Sequence, residues 1–261
     1  MSGKFRVDEF SLQAQRHIYP LYRKDGRGGY EFSSTMTFVK IKELYFCVFA
    51  AHALTLREDQ LSEIGALKTD GSFMSLSDVS YFYKICRERD LCICATNEFE
   101  YKNYFDLDHE STTEFVDDFG WIGFPKKKAI QSIHSSKSSS EKIREYLSEG
   151  VDGLKKWEHA NFLLLGVEFE SESEREVVGK HVNENVEYEH EGFKQKGYSL
   201  KGMSGGAFFK GPKKIHSDQP RLGDVFKFFG IGLEYKNGIL VKGASRHSVQ
   251  EMINEMLEAS L

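Results

Sequence analysis

Leu200-Lys201-Gly202-Met203-Ser204-Gly205-Gly206-Ala207-Phe208-Phe209 sets one serine among glycines, directly ahead of an apolar strand-like segment. Glycine has no Cβ and reaches backbone conformations closed to other residues, so a tight turn is permitted here. A serine nucleophile requires such a turn. Its hydroxyl must stand clear while nearby backbone N–H groups converge on an oxygen that develops negative charge. The N–H groups of Gly202 and Ser204 are the candidates for that oxyanion hole, each donor contributing roughly 3 kcal/mol in enzymes built this way. Read alone, the same letters also describe a glycine-rich β-turn with an incidental serine.

Two further stretches supply the partners that a serine nucleophile needs. Phe49-Ala50-Ala51-His52-Ala53 ends an apolar run on a histidine. The small residues before it let the backbone pass close to a neighbouring strand, and the imidazole can take the serine proton as general base. Arg89-Asp90-Leu91-Cys92-Ile93-Cys94 sets an aspartate just before an apolar strand, where it can orient the histidine and stabilise the imidazolium. Asp78, Asp106 and Asp108 compete for this role, since a strand-start aspartate is commonly a turn former.

Strand-like text surrounds all three motifs. Met36 and Phe38 fall on one face of a strand, with Thr35, Thr37 and Val39 on the other. Lys42-Glu43 breaks the pattern before the run from Leu44 to Ala51, which predicts a hairpin. Further strands are expected at Val79 to Ile85, Leu91 to Ala95, Trp121 to Phe124, Phe162 to Glu168, Gly206 to Phe209, Val225 to Glu234 and Gly238 to Val241. Many short strands separated by turn signals point to barrels or a sandwich. Helical spacing appears three times: at Phe10, Ala14 and Ile18, where an irregular extension competes; at Ile143, Tyr146 and Leu147; and at Val249, Met252, Ile253, Met256 and Leu257. Ser138 with Glu141, and Ser248 with Glu251, have capping-box spacing.

The chain order His52, Asp90, Ser204 is that of chymotrypsin-type enzymes. Ala50-Ala51-His52-Ala53, Asp90-Leu91-Cys92-Ile93 and Gly202-Met203-Ser204-Gly205-Gly206 resemble the histidine, aspartate and serine motifs of the trypsin-like peptidase family. Gly120-Trp121-Ile122-Gly123-Phe124-Pro125 and Phe229-Gly230-Ile231-Gly232 resemble two of its glycine-containing strands, and the likeness spans roughly residues 30 to 258. This resemblance implies an all-β-dominated fold of two six-stranded antiparallel β-barrels. It divides the chain into an N-terminal extension (1–29), a first barrel (30–115) and a second barrel (116–261) with a helical insertion at about 136–157 and a C-terminal helix. It also implies that Tyr198, Ser199, Leu233, Glu234 and Tyr235 wall the substrate pocket. Two departures carry meaning. Ala53 stands where secreted members often place a disulfide cysteine. Met203 stands where zymogen-activated members carry the aspartate that receives a freed N-terminus, so a switch of that type has no partner here.

Composition bounds the rest. Among 261 residues, 40% hydrophobic and 29% charged residues describe a folded chain. A net charge of −5 argues against a nucleic-acid partner, and the basic runs Lys126-Lys127-Lys128 and Lys213-Lys214 are short and follow prolines. Met1 to Glu9 holds no apolar secretion signal, and no stretch approaches a membrane span. Cys47, Cys86, Cys92 and Cys94 read as free thiols rather than a disulfide or metal set, which predicts a cytoplasmic protein. The expectation is a cytoplasmic serine endopeptidase that needs no cofactor and cuts a narrow protein substrate. By analogy with stand-alone bacterial members, that substrate would be a partner effector in antiviral defence. The alternative is a catalytically silent pseudoprotease used as a protein-binding module.

Overall fold

A computed structural model describes residues 10–26, 29–54, 60–68, 72–99, 102–126, 147–149, 155–157, 162–185, 187–190, 193–215 and 220–259. Its first half runs α1 (Phe10–Gln15), β1 (Ile18–Lys24), β2 (Tyr30–Ile41), β3 (Leu44–Ala50), β4 (Ile64–Leu67), β5 (Phe73–Ser75), α2 (Leu76–Val79), β6 (Ser80–Cys86), β7 (Leu91–Thr96) and β8 (Phe105–Asp106). The second half runs β9 (Phe119–Gly123), β10 (Leu147–Glu149), β11 (Lys155–Trp157), β12 (Leu163–Glu172), β13 (Glu176–Lys180), β14 (Glu187–His190), β15 (Phe193–Lys196), β16 (Ala207–Lys210), α3 (Leu222–Val225), β17 (Lys227–Lys236), β18 (Leu240–Ser245) and α4 (Arg246–Glu258).

The second half closes as expected, into a six-stranded antiparallel barrel in the order β12-β13-β18-β17-β16-β9. Its interior is packed with Trp121, Val177, Met203, Phe208 and Val241. The first half does not close. Its sheet runs β5-β4-β1-β2-β3-β7-β6, with β8 added parallel to β2, and curls into a half-barrel. The cause is local. Between β5 and β6 the chain turns through α2, whose first turn is capped by Ser75 Oγ accepting from the Asp78 N–H at 3.2 Å. The two end strands of the sheet, β5 and β6, are thus joined through a helical turn.

Of the expected N-terminal extension (1–29), residues 10–26 and 29 are described. They supply β1, which pairs with β2 along its whole length and sits inside the sheet. The helical insertion expected at about 136–157 falls mostly outside the described residues. Where it is described, β10 and β11 pair antiparallel, Leu147 opposite Trp157, so this end is a two-stranded ladder rather than a helix.

The Lys42-Glu43 hairpin forms, with Ile41 opposite Leu44 and Lys42 at φ +53°. Side-chain alternation then divides the first sheet. Met36, Phe38, Cys47, Phe49, Cys92 and Cys94 pack into one cluster. Val39, Val48, Ile93 and Ala95 face the opposite way and share a core with Ile122, Phe209 and Ile231 of the barrel. Val249, Met252, Ile253 and Met256 of α4 join that shared core, which therefore runs between both halves. The cap of α4 is Ser245, whose side chain accepts from the Ser248 N–H; it lies three residues before the expected Ser248 cap. All four cysteines are free. Among the described residues no helix is long and apolar enough to cross a membrane.

One buried base escaped the sequence reading. His17 stacks on Phe105 at a centroid distance of 4.1 Å, and its Nδ1 lies 3.1 Å from the Gln13 carbonyl oxygen. Burial pushes its pKa from 6.5 down to about 3, against opposing backbone hydrogen bonds from Gln13 and Ala14. Between those two values the unfolded chain binds a proton that the folded chain refuses, so this group makes stability fall as pH drops through the window. His17→Gln is expected to flatten that fall, measured by urea unfolding at pH 7 and near pH 4.5.

Candidate active site

The serine turn is held against the first sheet by backbone contacts that leave no room for a Cβ. Gly205 has φ +84°, and a Cβ on it would lie 2.0 Å from the Thr35 carbonyl oxygen and 3.2 Å from the Ala50 nitrogen. Gly202 has φ +100°, and a Cβ there would meet the Phe32 ring at 2.6 Å and the Phe124 carbonyl oxygen at 2.9 Å. Threonines of β2 fasten the turn. The Thr35 N–H donates to the Ser204 carbonyl at 3.0 Å, Thr35 Oγ1 donates to the Gly202 carbonyl at 3.1 Å, and Thr37 Oγ1 donates to the Gly205 carbonyl at 2.7 Å. From the other side, Gly205 and Gly232 are tied to β17 and the turn by N–H···O bonds of 2.7 and 2.8 Å. The amides of Met203, Gly205 and Gly206 are all bonded within the fold. Among the described residues no hydrogen bond engages the N–H of Gly202 or Ser204, the two donors that an oxyanion would need.

His52 stands just past β3, on a 3-10 turn spanning Ala51–Ala53. This turn is built by the β6–β7 connection. The Ala51 N–H donates to the Asp90 carbonyl at 2.9 Å, and Arg87 Nη1 donates to the Ala51 carbonyl at 2.6 Å. Asp90 adopts φ +52°, a left-handed conformation that Asp tolerates better than most residues. From there its carboxylate grips His52 at two points. Oδ1 accepts from the His52 backbone N–H at 2.8 Å, and Oδ2 lies 2.6 Å from the ring Nδ1. Nδ1 thereby carries the proton, and Nε2 is left as the basic nitrogen. The preceding residue anchors the connection to α4: Arg89 pairs with Glu251 at 2.9 Å and with Glu255 at 3.1 Å. The competing aspartates serve elsewhere. Asp106 pairs with Lys40 at 3.0 Å, Asp108 accepts from the Lys42 N–H, and Asp78 lies in α2.

The His52 pKa is raised above 6.5. The Asp90 hydrogen bond is the main cause, opposed by burial and aided by the charges of Asp90 and Glu234. A folded value above the unfolded one means that protonation stabilises the fold below about pH 6.5. That contribution disappears as pH rises through the folded value. The imidazole titration followed by NMR is expected to have its midpoint above 6.5. It should move down in Asp90→Asn and, by less, in Glu234→Gln.

Ser204 lies in the same neighbourhood, with its hydroxyl turned to β17. Its hydroxyl donates to the Leu233 carbonyl at 2.8 Å. Glu234, the next residue along β17, lies close enough for its charge to act on His52. The Gly205–Ala50 approach brings the serine turn to the end of β3, two residues before His52. Of the expected pocket residues, Leu233 and Glu234 are therefore beside Ser204 and His52. The Tyr198 side chain is buried with Trp121, Met203 and Phe229 in the barrel cluster. Asn183 links the remaining segments, donating from Nδ2 to the Tyr198 carbonyl at 2.6 Å while its backbone N–H donates to the Tyr235 hydroxyl at 3.4 Å. Ser199, half-buried, follows Tyr198 in this stretch.

Thr35, Thr37, Arg87, Arg89 and Asn183 position the site and were missed from sequence. Only the threonines left a signal, as two hydroxyls on an otherwise apolar strand face. No protein-family model matches the chain and no curated protein matches it in sequence, so its functional reading rests on the geometry of these residues.

Proposed function

We propose that the chain is a serine endopeptidase of the trypsin-like kind acting on a protein substrate. Asp90's two-point grip on His52 carries this reading, because it fixes both the tautomer and the place of a basic Nε2. Ser204 Oγ attacks the scissile carbonyl carbon as His52 Nε2 takes its proton, and Asp90 stabilises the imidazolium. The oxygen of the tetrahedral intermediate accepts from the Gly202 and Ser204 N–H groups. Collapse breaks the C–N bond, with the Nε2 proton passing to the leaving amine. Water then repeats the sequence on the acyl-enzyme and restores Ser204. No step calls on a cofactor. Reaching the reactive arrangement requires Ser204 to leave the Leu233 carbonyl by turning about its Cα–Cβ bond. That exchange of one hydrogen bond costs on the order of 1 kcal/mol.

A second reading, a silent protein-binding module, is favoured by that same Ser204–Leu233 hydrogen bond. A fluorophosphonate label separates the two. Covalent attachment to Ser204, absent in Ser204→Ala, supports the peptidase. No labelling of a folded wild-type chain in the presence of candidate protein partners supports the module. Comparing the proteins cut in cells expressing wild type and Ser204→Ala then names the substrate. It also tests the narrower proposal of a cytoplasmic effector partner in antiviral defence.

A further inference from the structure

We propose that a second site, at the opposite end of β3 and β7 from His52 and Asp90, binds a small multivalent anion. This inference is independent of the peptidase reading and shares no residue with it. A cavity of about 400 Å³ opens there, within the size range of small-ligand sites. Tyr45 lies at its wall near the start of β3, and the rise of the strand to Ala50 puts about 17 Å between it and the approach to His52.

Not every cation around the cavity has a carboxylate partner among the described residues. Lys40 is paired with Asp106 at 3.0 Å, and His109 is paired with Asp224 at 3.0 Å. The His109 ring is also fitted closely to the backbone, since a Cβ on Gly223 would fall 2.4 Å from it. Two lining cations remain, Lys102 and Arg221, and among the described residues no carboxylate forms an ion pair with either. Glu98 is the one further lining acid, exposed and hydrogen-bonded with Tyr45. The contacts of Lys102 among the described residues are weak: its Nζ is 3.5 Å from the Ile18 carbonyl oxygen, 4.2 Å from the centre of the Tyr19 ring and 5.9 Å from that of Phe38. Burial, with the charge of Arg16, pushes its pKa from 10.5 down to about 7. An ammonium in this position gains most from an anion, which supplies a countercharge that no described residue provides by an ion pair. The amide of Asn103, on the same wall, is spent on Gln13, donating to its carbonyl and its side-chain oxygen at 3.1 Å each, so recognition falls to Lys102 and Arg221, whose planar fork suits a phosphate or carboxylate group.

Phosphate and carboxylate sources share this chemistry, so the test uses both. Inorganic pyrophosphate and citrate are titrated into the full-length chain by isothermal titration calorimetry at constant ionic strength, beside Lys102→Met and Arg221→Gln. We expect at least one anion to bind wild type with Kd below about 1 mM, and each substitution to weaken it about tenfold or more. Circular dichroism and fluorophosphonate labelling at Ser204 should stay unchanged. Pyrophosphate preference indicates a phosphorylated ligand, and citrate preference a carboxylate one. The proposal is overturned if neither anion binds wild type more tightly than it binds the variants. Arg221 is exposed, so Arg221→Gln decides the matter should Lys102→Met fail to fold.

Discussion

Asp90→Asn is expected to slow the second-order labelling of Ser204 by a fluorophosphonate about 10⁴-fold while leaving the melting temperature nearly unchanged. The substitution keeps the shape and removes one acceptor. Asparagine tolerates the φ of +52° at this position, which a β-branched residue would not. Its amide oxygen can still accept from the His52 backbone N–H, now 2.8 Å from Oδ1. The Ala51 N–H bond goes to the backbone carbonyl of residue 90 and is untouched, as are the Arg89 pairs to α4. What changes is the group facing Nδ1. An NH₂ at the place of Oδ2 donates, so Nδ1 becomes the acceptor and the ring proton moves to Nε2. The nitrogen that should take the Ser204 proton then already holds one. A loss smaller than about tenfold, with the fold intact, would mean that His52 is not the base and that the grip is structural.

The three motifs were readable because each joins an unusual residue type to a local constraint that sequence displays. Ser204 sits between glycines, and two of these occupy positive-φ positions pressed against backbone. Asp90 and His52 adjoin apolar strands that pair directly, Ala50 opposite Leu91, so the two meet by register alone. The β2–β3 hairpin and the buried stripe of α4 follow in the same way from alternation and periodicity. Closure of the first sheet was not readable, because it depends on which strands end up as neighbours. β1 contains Pro20, which argues against a central strand, and its pairing shows why the proline is tolerated. β1 meets β4 only at Tyr22 and Arg23, so at Pro20 it has β2 alone beside it. β13 hides for another reason: Val177 and Gly179 alternate inward on a segment of only five residues that follows a glutamate-rich stretch. The resting partner of Ser204 lies 29 residues away on β17, beyond any local pattern.

Gly205→Ala should be among the most damaging substitutions in the chain, although it adds a single methyl group. Two costs separate cleanly. An L-residue at positive φ costs about 1 kcal/mol wherever it stands. Gly238→Ala isolates that term, since Gly238 has φ +72° and nothing within 4 Å of an added Cβ. At Gly205 the methyl group would also sit 2.0 Å from the Thr35 carbonyl oxygen, and the obstacle is strand backbone rather than a side chain that can swing away. Relief means lifting the serine turn off β2, which strains the Thr35 N–H bond to Ser204 and the Thr37 hydroxyl bond to Gly205 together. We expect a loss of about 3 kcal/mol or more, seen as a melting temperature lower by about 6–12 °C, against about 2–4 °C for Gly238→Ala. The same displacement carries Ser204 away from His52, so labelling of the still-folded protein at 25 °C should fall about 100-fold or more, as it does when reacting groups are misplaced by an ångström. Equal melting temperatures for the two variants would show that the turn is not wedged against the sheet. The close approach of the serine turn to β2 and the end of β3 would then have no energetic weight.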